Sequence, residues 1–167
     1  MTKDLLVNEI QLSYKRHMAP EDKIQISGAE TAYSVLHSQW DENRIDLVED
    51  FKVLLLNRAM RLIGIYHVSS GTTSAAIVDP KLVFVAALNA NASSIILAHN
   101  HPSRNLKPSE ADHQLARQLK AGGELLDIKV HDHIIVTNEG YYSFAEETTY
   151  QKKTTGSQVS FECMLPF

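Results

Sequence analysis

The feature that most restricts this chain is a short, unbroken apolar run that stops on a histidine. Ser94 to His99 reads SIILAH, with no charge before the ring and no polar alternation. A run of that length fits a strand buried on both faces. Such a strand needs a covering layer above and another below. Helical patterns flank it in sequence. Before it, Asp79-Pro80 supplies an N-cap and a proline at the first helical position. That helix is predicted to run to about Asn91 with Leu82, Val83, Ala86 and Ala87 toward a core. After it, a loop from Asn100 to Pro108 leads to a helix from Ser109 to about Ala121, which Gly122-Gly123 should end.

Other segments extend the alternation. Val7 to Tyr14 alternates loosely, as an edge strand would. Ser27-Gly28-Ala29-Glu30 reads as a capping box, with Ser27 capping and Glu30 reaching back, and opens a helix to about Trp40. Glu49 to Leu56 and Leu62 to Val68 are strands joined by a hairpin turn at Asn57 to Arg61, and Thr73 to Val78 is a further short strand. Ile128 to Val136 is a strand with a short partner at Tyr141 to Phe144. From Thr148 the sequence turns polar and aperiodic and reads as a tail. The whole predicts an α/β domain with helices on both faces of a mixed sheet. Its divisions are an N-terminal strand and helix (1–45), a central domain (46–147) and a C-terminal tail (148–167).

Composition narrows the function. The 167 residues carry 16 Lys+Arg and 20 Asp+Glu, a net charge of −4, and show no long basic run, so a nucleic-acid stripe is not evident. Cys163 is the only cysteine, which excludes an intramolecular disulfide and any Cys-rich zinc site. No stretch approaches the roughly 20 apolar residues of a membrane span, and no secretory signal opens the chain. The expectation is a soluble cytoplasmic protein with no membrane partner.

Five of the eight histidines fall between His99 and His133. His99 and His101 stand at i and i+2 as the buried run ends, so an extended chain points both to one side. Asp112 falls in the first turn of the following helix. Two imidazoles and a carboxylate form a familiar three-ligand set for a catalytic zinc, one per chain, with a fourth position for water. The competing readings are plain. Histidines at a strand end are often only hydrogen-bonded. Ser109-x-x-Asp112 after a proline is also a capping box. His131 and His133 repeat the i, i+2 spacing but lack a third ligand, and suit a structural or ligand-orienting role. A nucleobase-deaminase site is excluded, because it needs H-x-E with P-C-x-x-C. From residue type alone, Glu49, Asp50, Glu42 and Asp46 are equal candidates for a general base.

The pattern of H-x-H, seven residues, Ser, two residues, Asp resembles the signature of the JAMM metallopeptidases, the MPN+ or JAB-domain family. SIILAHNHPSRNLKPSEAD, DIKVHDHIIV and SSGTT are similar to segments of its bacterial RadC branch, in the same order. The likeness covers roughly Glu49 to Glu146. It implies a cytidine-deaminase-like three-layer α/β/α sandwich with residues 46–147 as the catalytic domain. It implies His99, His101 and Asp112 as zinc ligands, Ser109 as the group that hydrogen-bonds the tetrahedral intermediate, and Glu49 as general base. The implied reaction is hydrolysis of an amide or isopeptide bond in a protein or peptide substrate. The alternative is a non-catalytic metal-binding or DNA-repair-associated accessory module. Nucleic acid enters as a partner only by analogy with the family. Two departures stand out. Arg104 occupies a position where RadC relatives usually carry glycine, as a positive φ would require, unless Asn105 takes the turn. The residues before Glu49 show no glycine-bearing hairpin of the helix-hairpin-helix kind found in full-length relatives.

Overall fold

The computed structural model describes residues 24–72, 77–155 and 158–164, and side chains up to residue 151. The elements are α1 (Ala29–Ser38), β1 (Asp50–Leu56), β2 (Leu62–Ser70), α2 (Pro80–Asn89), β3 (Ser94–Asn100), α3 (Glu110–Leu125), β4 (Lys129–Val136), β5 (Gly140–Ser143), β6 (Thr148–Thr155) and β7 (Gln158–Met164). The strands form one sheet in the order β2-β1-β3-β4-β5-β6-β7. Only the β3–β4 pair is parallel, with α3 as its crossover; the other pairs are antiparallel.

β3 lies between β1 and β4, and every residue of it is buried. Its alternate side chains feed two cores. Ile96 and Ala98 join Leu54, Leu56, Ile134 and Val136 beneath α1, where Ala32, Tyr33 and Leu36 complete the layer. Ile95 and Leu97 join Phe51, Val53 and Leu55 beneath α2 and α3, which contribute Val83, Phe84, Ala87 and Leu119. The fold is the expected α/β/α sandwich.

The departures from expectation have local causes. Ser27 does not cap α1. Gly28 stands at the N-cap, and the Thr31 hydroxyl accepts from the backbone N–H of Ser27 and of Gly28 at 2.9 and 3.1 Å, the part assigned to Glu30. In α2, Phe84 turns inward with Val83 and Ala87, while Leu82 stays 43% exposed. The expected strand at Thr73 to Val78 lies partly outside the described residues, and Ile77 and Val78 are not in a strand. The strand expected at Val7 to Tyr14 lies wholly outside them. The segment read as an aperiodic tail supplies β6 and β7 at the edge of the sheet.

Gly122-Gly123 does not end α3, which continues to Leu125. The glycines permit close approach instead. A Cβ on Gly123 would sit 2.3 Å from the Ile128 carbonyl oxygen, and one on Gly122 would sit 2.8 Å from Phe84 Cε2. Gly123→Ala must therefore push α3 off the start of β4. It should cost about 1–3 kcal/mol of stability in denaturant unfolding, the usual penalty of overpacking. Gly122→Ala should cost less, because the Phe84 ring can turn.

Candidate metal centre

Three segments carry the candidate ligands. His99 is the penultimate residue of β3 and is 1% exposed. His101 follows in the loop, and Asp112 is the third residue of α3. His99 Nε2 lies 2.9 Å from His101 Nε2 and 3.2 Å from Asp112 Oδ1, and His101 Nε2 lies 3.7 Å from Asp112 Oδ2. Donors bound to zinc at about 2.0–2.1 Å in a tetrahedron stand roughly 3.3 Å apart. The His99–His101 and His99–Oδ1 separations lie near that value, while the 3.7 Å is measured to the other carboxylate oxygen. Among the described residues this is the only group of three or more histidine, cysteine or acidic side chains drawn this close together. Two imidazole nitrogens and a carboxylate oxygen suit a borderline-soft divalent ion such as zinc. The residues present fit the metal.

Two readings of Asp112 compete in the sequence, and the structure accommodates both with separate oxygens. Oδ2 accepts from the Ser109 backbone N–H and from Ser109 Oγ, each at 2.7 Å, while Ser109 Oγ accepts from the Asp112 N–H at 3.2 Å. That is the capping box of α3. Oδ1 remains directed to His99. The box thus fixes the carboxylate rotamer, and Ser109 reaches the centre through Asp112. Burial pushes the Asp112 pKa up, but hydrogen bonds with His101, His99 and Ser109 outweigh it and hold the group well below the usual carboxylate range. Burial likewise works to lower the His101 pKa. The Asp112 carboxylate beside the ring, the hydrogen bond to the Asn105 carbonyl and the nearby Glu49 charge reverse that and raise it.

Behind the candidate ligands stands His133, with Nε2 2.8 Å from His99 Nδ1. If His99 carries its proton on Nδ1 and donates it to His133, its Nε2 lone pair is left for a cation. His133 is held between rings. Phe144 stacks on it at 4.6 Å, and Phe51 meets it edge-on at 5.6 Å. Its own Nδ1 is buried without a partner, and burial drives its pKa well down, so the ring stays neutral. A register shift in β4 brings this about. Ile95 pairs with Val130 but Ile96 pairs with Asp132, so His131 is the extra residue. Past the bulge the ladder pairs Leu97 with His133, and the two His131/His133 rings do not act as a pair. His131 lines a separate cavity with Arg58 and Lys129.

An open cavity of about 490 Å³ lies over the centre. Glu49, His99, His101, Ser109 and Asp112 all line it, with Phe51, Val78 and Leu115 as apolar wall and Lys107 among its polar groups. Of the four acids that sequence leaves equal, Glu49 alone borders this cavity. Asp50 points to the opposite face, where it accepts from Ser70 Oγ at 2.5 Å and meets Arg44 at 3.5 Å. Asp46 is paired with Arg104, and Glu42 is exposed. The Glu49 backbone is anchored: its N–H donates to the Thr72 carbonyl at 3.0 Å, and its own carbonyl accepts from the Gly71 N–H at 2.8 Å.

Asn100 was not among the residues that sequence singled out. It is fully buried between the two histidines in sequence and faces the other way. Its Oδ1 accepts from the Asp50 N–H at 2.7 Å, and its Nδ2 donates to the Ile45 and Val48 carbonyls at 2.6 and 2.8 Å. One side chain thereby ties the segment leading into β1, and Glu49 with it, to the histidine-bearing strand. The only signal in sequence was a polar residue continuing a buried run.

The sequence has relatives among known proteins. The model of the RadC-like JAB domain matches residues 26–149. The chain belongs to the RadC-like JAB domain family. A UPF0758 protein of Flavobacterium johnsoniae is 46% identical over 99 residues, covering 59% of this chain and 43% of its own length. One from Thermosynechococcus vestitus is 44% identical over 100 residues, 60% of this chain and 40% of the relative. One from Trichlorobacter lovleyi is 40% identical over 114 residues, 68% of this chain and 48% of the relative. The chain spans less than half the length of these RadC-family relatives. Among the described residues, no helix is long and apolar enough to cross a membrane.

Proposed function

We propose that this chain is a zinc-dependent hydrolase of the JAMM type, cleaving an amide or isopeptide bond in a protein or peptide. The observation that supports it most is the convergence of His99, His101 and Asp112 on one side of a cavity that Glu49 also lines. His99, His101 and Asp112 would hold the ion. When bound, such an ion polarises water and the scissile carbonyl. Glu49 takes the proton of the attacking water and hands it to the leaving nitrogen, a general base turned general acid. Phe51, Val78 and Leu115 supply the apolar wall of the same cavity. Ser109 stands at the cavity rim with the capping hydrogen bonds of α3. Its hydroxyl would stabilise the developing oxyanion by turning its donated bond from Asp112 to substrate.

Incubation of the zinc-loaded chain with a diverse peptide and isopeptide pool, read by mass spectrometry, tests the activity. Cleavage that a zinc chelator stops is expected. A chain that holds zinc and cleaves nothing in such pools would favour the accessory-module reading instead.

The pKa shifts set a pH dependence. A raised His101 pKa means that a proton competes with the ion for Nε2 over a wider acidic range. Zinc affinity should climb as pH rises through that raised value and then level off. Below it, affinity should fall about tenfold per pH unit for each proton displaced. Asp112 stays ionised throughout and adds no slope. Calorimetric titrations between pH 5 and 8 should give this profile, and a flat profile would contradict it.

A further inference from the structure

Arg104 has φ 59°, in the left-handed region that favours glycine and costs an L side chain. Its side chain makes an arrangement that offsets the cost. Nη2 donates to Asp46 Oδ2 at 2.7 Å, and Nη1 donates to Glu139 Oε1 at 2.9 Å. Asn138 Nδ2 donates to the same Asp46 oxygen at 3.3 Å. Asp46 lies between α1 and β1, and Glu139 lies in the β4–β5 turn, so one guanidinium ties the loop after β3 to two other segments.

The backbone at Arg104 bears on a ligand. Its N–H donates to the His101 carbonyl at 2.9 Å, which closes a turn. The next carbonyl, that of Asn105, lies 2.5 Å from His101 Nδ1. A carbonyl can only accept, so it holds the imidazole proton on Nδ1 and leaves Nε2 bare toward His99 and Asp112. The direction of the Asn105 carbonyl depends on the dihedrals one residue earlier. A relaxed Arg104 would swing it away.

We propose that Arg104 is a latch and a positioning residue: its two ion pairs hold the left-handed turn that aims the Asn105 carbonyl at His101. The latch stands by itself, and its effect on metal binding rests on the metal-centre reading. Both pairs are partly exposed, with side-chain accessibilities of 51% for Arg104, 34% for Asp46 and 63% for Glu139. The latch is therefore sensitive to salt.

Hydrogen exchange on the full chain without metal, read on peptides covering 101–108, tests the latch. Arg104→Ala should raise exchange in this segment about tenfold, and the double variant Asp46→Asn/Glu139→Gln should do the same with Arg104 intact. Arg104→Gly relieves the φ cost but removes the pairs, and should also exchange faster than wild type. Arg104→Lys loses the two-pronged fork and should recover only part of the protection. At 1 M salt the wild type should move toward the variants, and Arg104→Ala should not change. Exchange within twofold of wild type in both Arg104→Ala and the double variant would overturn the latch.

Zinc release to a chromophoric chelator tests the positioning. It should be about tenfold faster in Arg104→Ala, with partial rescue by Arg104→Lys. Faster exchange with unchanged zinc release would overturn the positioning role. If the wild type takes up no zinc, the metal-centre reading fails, and with it the role at His101, while exchange still decides the latch.

Discussion

The Glu49→Gln variant is expected to hold zinc as the wild type does and to lose hydrolysis by a factor of about 10² to 10⁴. Glu49 is not one of the converging donors, yet it borders the same cavity and raises the His101 pKa through its charge. An amide of the same shape fills its place but cannot take a proton at neutral pH. Its backbone is held by Thr72 and Gly71 through main-chain bonds that a side-chain change does not touch. The variant thus separates proton transfer from folding and from metal binding. Hydrolysis at the wild-type rate in Glu49→Gln would move the base to another group.

His101→Ala is expected to weaken zinc binding by on the order of a hundredfold or more, since it removes one of three protein donors from a site whose affinity is shared among few ligands. The same change severs the Asn105 carbonyl contact and leaves His99 and Asp112 facing each other. Those two can still pair through hydrogen bonds, so the fold should survive. His101 is partly exposed in a loop, and its loss opens no cavity in either core. Competition against a chelator of known affinity measures the effect. Zinc affinity equal to that of the wild type would remove His101 from the ligand set.

Sequence showed the centre of this molecule better than its margins. SIILAH was readable as a doubly covered strand because burial on both faces leaves no polar position in it. The spacing from His99 to Asp112 was readable because one loop and one helical turn bring these residues together with no long-range information. Other features depended on neighbours distant in the chain. Gly122-Gly123 looks like a helix stop, and only the proximity of Ile128 and Phe84 makes it a packing device. The β4 bulge that sets His133 behind His99 leaves no local mark, since His131 and His133 read as ordinary alternation. β6 and β7 escaped because pairing at a sheet edge needs no apolar run. Glu49 could not be told from Asp50 by residue type. A strand sends neighbouring side chains to opposite faces, and only the sheet shows which face carries the cavity.

Native mass spectrometry of the purified wild-type chain in zinc-replete buffer addresses the central claim most directly. A bound mass of one zinc per chain, lost when a strong chelator is added and absent from His101→Ala, is the predicted result. The same mass with and without zinc in the folded wild type would contradict it.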